Sequence, residues 1–220
     1  MRYATKLRKP RAGSPVITYT LIGINILVWL LQIIPNSVVT NYLVYAPYRT
    51  LSYPWEMITS GFVHDPTGPL HLLFNMYSLF IFGRALEPML GRSRFTALYL
   101  LSLFGGSVAV LLIAPTSYVL GASGAIFGLM AAYFVIARSL GANSSQFLGV
   151  IVLNLALGFF VSGISWQAHI GGLVIGGLVA FLLMRTRNVR MAKQQIWMLG
   201  AVAAGLVVLT FVGVALLPAS

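Results

Sequence analysis

The sequence predicts an all-α, polytopic membrane protein with seven transmembrane helices, and three observations carry that prediction. Of the 220 residues, 59% are hydrophobic and only 8% charged, against about a quarter charged in a typical soluble domain. Two uncharged runs, Phe95 to Ala137 and Ser139 to Met184, each hold two helices of the roughly 20 residues a bilayer demands. The Lys and Arg residues fall in short clusters between apolar runs, which is the pattern of membrane topology. The net charge of +11 therefore does not point to nucleic acid.

In chain order the spans are 16–34, 67–83, 95–114, 122–137, 146–163, 168–184 and 196–217. The first apolar run, Val16 to Ile34, is too long for a cleavable signal core, and no small-residue cleavage site follows it. The stretch 35–66 is the longest connection. Its prolines and its cluster of Tyr42, Tyr45, Tyr48, Tyr53 and Trp55 suit the headgroup level, so it is expected in the interface. The third and fourth spans come from the first uncharged run, the fifth and sixth from the second, with Arg138 between the runs. The seventh follows Arg185, Arg187, Arg190 and Lys193.

Arg2, Lys6, Arg8, Lys9 and Arg11 precede span one, and Arg84, Arg92 and Arg94 are read as the connection after span two. With Arg138 and the cluster after span six, every Lys and Arg except Arg49 falls on one side. The positive-inside rule then puts the N-terminus in the cytoplasm and the C-terminus outside. The expected location is the cell membrane. With no cysteine in the chain, disulfides, thiolate metal sites and a cysteine nucleophile are excluded.

Ionisable groups inside a membrane are costly and are functional candidates by default. Two lie well inside the spans, His71 and His169, and both begin their spans at the outer end. Span four begins there too, with Gly121-Ala122-Ser123-Gly124. Three parallel spans thus bring His71, Ser123 and His169 to one depth. From Ser123 to Ala137 a helix covers only about 22 Å, less than the roughly 30 Å hydrocarbon core, so Ser123 is expected to be recessed.

A serine at a helix start is also what an N-cap requires. To act as a nucleophile it needs a base, and His169 is the one available. Gly124 with Gly128, and Gly172 with Gly176, form Gly-xxx-Gly faces just after Ser123 and His169. Such faces let two helix backbones approach closely, although each alone is ordinary packing. The three carboxylates, Glu56, Asp65 and Glu87, do not adjoin His169 in sequence. A hydrolase built here has a dyad rather than a Ser-His-Asp triad. His71 and Asn75 share a helix face and, with the Ser123 N–H, offer donors for an oxyanion; an interhelical clamp uses the same residues. A metal held by these histidines and His64 is the weaker alternative, since no carboxylate or thiolate joins them. No metal and no other cofactor is expected.

Gly121-Ala122-Ser123-Gly124, then Ala168-His169-Ile170-Gly171-Gly172 through Gly176, then His71-Leu72-Leu73-Phe74-Asn75 match one known family in order and spacing. Over roughly residues 16–185 the chain resembles the rhomboid intramembrane serine proteases. The resemblance implies Ser123 as nucleophile, His169 as base, His71 and Asn75 in the oxyanion hole, and Phe127 packed against the histidine. It also implies a six-helix core over 16–185, preceded by a basic tail, 1–15, and followed by a linker and a seventh span, 186–220. Single-span membrane proteins are the implied substrates, entering laterally from the lipid bilayer between spans two and five. The connection Phe159 to Gln167, with Phe159, Phe160 and Trp166, is expected to cap the site. Two departures from the family pattern are Trp55-Glu56, where many members have Trp-Arg, and Met89, where many have Arg. A non-catalytic rhomboid-like chaperone or adaptor is the alternative. A small-solute transporter fits less well, because its polar groups would sit near the midplane.

Overall fold

Hydropathy alone does not explain why the helices begin and end where they do; a few polar contacts do. The computed structural model describes residues 14–141, 145–160 and 163–217. In chain order its α-helices are α1 (Val16–Gln32), α2 (Val39–Leu43), α3 (Glu56–Thr59), α4 (Leu70–Leu90), α5 (Arg92–Ile113), α6 (Ser123–Ser139), α7 (Ser145–Phe160), α8 (Trp166–Arg185) and α9 (Ala192–Ala215). The seven long ones overlap the seven segments read from the sequence, with bounds that differ by up to seven residues. Among the described residues there is no sheet, only an isolated bridge between Tyr45 and Val119. Three helical segments, Arg92–Ile113, Trp166–Arg185 and Val189–Ala215, are long and apolar enough by themselves to cross a membrane.

The expected charged connection after span two is corrected. Helix α4 continues to Leu90, Arg84 is helical, and Gly91 alone, at φ 82°, turns the chain into α5. The helix persists because its last turns face protein. Leu86 is fully buried, and the Glu87 carboxylate accepts hydrogen bonds from the N–H groups of Ile17 (2.9 Å) and Thr18 (2.8 Å) and from the Thr18 hydroxyl (2.8 Å). The first turn of α1 has unpaired N–H groups and a positive dipole end, so this carboxylate caps α1 from a neighbouring helix.

The connection between α1 and α4 is folded rather than loose. Tyr42, Tyr48 and Trp55 are exposed, but Tyr45 is fully buried and its hydroxyl pairs with Thr50 Oγ1 at 2.9 Å. The buried Glu56 forms an ion pair with Arg49 at 2.7 Å. The basic partner of this loop thus comes from position 49, not from the residue after Trp55.

Helices α5, α6 and α8 form the centre of the bundle. Helix α6 buries ten residues, whereas α9 buries three and lies against the outside of α5. At the end of the bundle that holds the last turn of α8, Arg94 donates to Gln195 Oε1 (2.7 Å), and the Gln195 amide donates to Thr186 Oγ1 (2.7 Å). That pair of bonds ties α5, α9 and the end of α8 together.

Candidate active site

The segment before α6 places the serine. Gly121 has φ 111° and donates its N–H to the Ser60 carbonyl at 2.9 Å. A Cβ there would lie 2.9 Å from both Cε1 and Nε2 of His71, so conformation and space both call for glycine. Helix α6 then starts at Ser123 with no side-chain cap. The hydroxyl of Ser123 does not serve as an N-cap; it lies 2.9 Å from His169 Nε2. The N–H groups of the first turn have no intrahelical partner.

The close approach of α6 and α8 follows from their glycines. A Cβ on Gly172 would fall on the Gly124 carbonyl, and one on Gly176 would fall on the Gly128 backbone. Helix α5 meets the same face: a Cβ on Gly106 would stand 2.9 Å from the Ala168 carbonyl. These contacts leave α8 little freedom beside α6, and they bring Ser123 and His169 together.

His169 is buried and stacks on Phe127, with ring centroids 4.1 Å apart and planes 16° apart. Among the described residues its Nδ1 has no hydrogen-bond partner. All three carboxylates are engaged elsewhere, Glu56 by Arg49, Asp65 by Thr67 and Glu87 by α1. A Cβ on Gly158 of α7 would lie 3.5 Å from Nδ1. Gly158 went unnoticed in the sequence, since a lone glycine in an apolar run belongs to no motif.

His71 is half-buried beside Gly121, and its Nδ1 accepts the Asp65 N–H at 3.4 Å. In a neutral ring that bond puts the proton on Nε2, the edge nearest Gly121. The Asn75 amide donates to the His71 carbonyl at 2.9 Å, which spends one of its two N–H bonds. His64 packs against His71, with centroids 5.0 Å apart, and among the described residues neither of its ring nitrogens has a side-chain hydrogen-bond partner. Burial, followed by the neighbouring His71, pushes His64 down to about 3. Among the described residues, no three His or acidic side chains are grouped to hold a metal.

Part of the expected cap, Val161, Ser162 and the side chain of Phe159, lies outside the described residues. Phe160 is 85% exposed and does not cover the site. Helices α4 and α7 touch through Phe82 and Phe147, with centroids 5.6 Å apart. Toward the serine end Phe74 and Tyr77 of α4, and Leu153 of α7, are exposed.

Residues 52–186 match the family model described as the rhomboid domain. The chain belongs to the rhomboid family. It is similar to the rhomboid protease GluP of Bacillus subtilis (strain 168), 37% identical over 182 residues, which cover 76% of this chain and 34% of GluP. It is also similar to the putative rhomboid protease YdcA of the same organism, 37% identical over 142 residues, or 62% of this chain and 70% of YdcA. The mitochondrial RHOMBOID-like protein 6 of Arabidopsis thaliana is 38% identical over 137 residues, or 59% of this chain and 44% of that protein. The chain thus spans about a third of the length of GluP and less than half that of the Arabidopsis relative. Like the family, it is a helical, multi-pass membrane protein.

Proposed function

We propose that this chain is an intramembrane serine endopeptidase that cleaves the membrane-spanning segments of other proteins with a Ser123–His169 dyad. The 2.9 Å contact between His169 Nε2 and Ser123 Oγ, at the start of a helix in a rhomboid domain, is the observation that carries this reading. His169 Nε2 takes the hydroxyl proton as Ser123 Oγ attacks the scissile carbonyl. The imidazolium then gives that proton to the leaving amine, and a water, activated by the same nitrogen, hydrolyses the acyl-enzyme. Phe127 holds the ring in plane, which stands in for the orienting acid of a triad.

The developing oxyanion is received by donors at the first turn of α6, by Nε2–H of His71 and by the free N–H of Asn75. Substrate reaches this point from the lipid between the outer halves of α4 and α7. It must partly unwind there, because a hydrogen-bonded helix withholds its carbonyls. Substrates with Gly or Pro near the cut are therefore favoured. The N-terminus is cytoplasmic and the C-terminus lies outside, in the cell membrane. The unit 16–185 is the catalytic core, and α9 is an addition to it.

A fluorophosphonate probe tests the reading directly. Ser123 is expected to be the labelled residue, and His169→Ala is expected to abolish labelling. Asn75→Ala is expected to slow labelling by roughly 10–10³-fold. Failure of Ser123 to react in folded protein would favour the adaptor alternative.

A further inference from the structure

The ends of α6 and α8 opposite the serine enclose a cleft of about 560 Å³. Its rim carries Arg138, Arg185 and Arg187, and its walls are Phe134 and Val135 of α6 with Phe181 and Met184 of α8. Three cations in one cleft ordinarily have counter-ions nearby. Here the chain holds only three carboxylates, and each is committed elsewhere, to Arg49, to Thr67 and to the start of α1. Among the described residues the trio's one side-chain partner is the Phe181 ring, 5.1 Å from the Arg185 guanidinium carbon. The carbonyl ends of the two helices offset part of the charge at Arg138 and Arg185, but Arg187 lies beyond the end of α8.

We infer that this cleft is a binding site for one anionic phospholipid. The charge calls for an anion, and the guanidinium fork suits phosphate oxygens. The walls decide which kind of anion. Phe134, Val135, Phe181 and Met184 lie on the membrane side of the arginines, within the helices, where an acyl chain would run. A soluble phosphorylated molecule would leave that apolar wall unused. A zwitterionic headgroup would bring its own cation into the trio. Basic clefts between membrane helices at a cytoplasmic surface are suited to such headgroups. The site lies on the same two helices that carry Ser123 and His169, yet it does not depend on the protease reading.

The test uses the full-length protein in neutral detergent, titrated with dioleoyl-phosphatidylglycerol, with dioleoyl-phosphatidylcholine, or with inorganic phosphate. Bound lipid is counted by native mass spectrometry and the thermal midpoint is followed. One phosphatidylglycerol is expected to be retained per chain with a saturable rise in midpoint, and neither other compound is expected to reproduce this. Arg138→Gln/Arg185→Gln/Arg187→Gln is expected to weaken retention at least about tenfold. The charge-matched control Arg84→Gln/Arg190→Gln/Lys193→Gln is expected to keep it. Should the first triple variant fail to fold, Arg187→Gln alone, outside any helix, is expected to weaken retention measurably. Equal retention by the cleft and control variants would overturn the proposal in favour of general surface charge. Equal stabilisation by inorganic phosphate would overturn it in favour of a soluble anion.

Discussion

The carbonyl of Gly124 on α6 stands where a Cβ on Gly172 of α8 would have to be. Two helices that meet backbone to backbone cannot accept even a methyl group without separating. Three residues earlier on α8 and one on α6, the same pair of helices presents His169 and Ser123 to each other.

Gly172→Ala is therefore expected to push the helices apart and stretch the Ser123–His169 contact. Cleavage of a reconstituted substrate should fall at least about 10²-fold, as misplacement of a reacting pair by an ångström does. Gly177→Ala is the control, since its Cβ would make an ordinary 3.7 Å contact with Ala131 and should leave turnover near wild type. Equal rates for the two variants would contradict the geometry.

The histidines and the serine were legible because run lengths and charge placement fixed the direction of each span. Three like-directed spans then put His71, Ser123 and His169 at one depth. The Gly-xxx-Gly faces were legible as faces, but which helices they joined became visible only in three dimensions. The length of α4 was not legible. Arg84 and Glu87 interrupt its hydropathy, and only the folded chain shows that Glu87 is occupied with the start of α1. Arg49 and Glu56 are seven residues apart on a segment without periodicity, so their pairing required the loop itself.

Glu87→Ala is expected to destabilise the protein by about 2–4 kcal/mol, because it strips partners from two N–H groups and a buried hydroxyl. Thermal or detergent unfolding midpoints measure this. Asp65→Ala, whose carboxylate accepts from Thr67 in an exposed turn, should cost much less. Equal losses would show that Glu87 does not cap α1.

His64 gives the fold an acid limb. An unfolded chain protonates this ring near 6.5, the folded one only near 3. Between those values the unfolded state binds more protons, so stability is full above pH 6.5 and falls as the pH drops. By pH 5 the loss from this group is about 2 kcal/mol. Unfolding midpoints followed from pH 7.5 to pH 5 should fall less steeply for His64→Gln than for wild type. Parallel slopes would remove His64 from the account.

Substrate entry between α4 and α7 predicts that joining their outer halves stops cleavage. The chain has no cysteine, so an engineered pair forms the only disulfide. Oxidation should block cleavage of a membrane substrate, and reduction should restore it. Full cleavage by the oxidised protein would place the entry elsewhere and leave the dyad untouched.

The central claim is that Ser123 and His169 act as one catalytic unit. Its most direct test is cleavage of a single-span substrate in proteoliposomes by wild type, Ser123→Ala, His169→Ala and the double variant. Wild type should cleave, with chelators present or absent. Each single variant should lose at least about 10³-fold in turnover while remaining folded, and the double variant should be no worse than either, because losses within one unit do not add. Cleavage retained by purified Ser123→Ala would contradict the account.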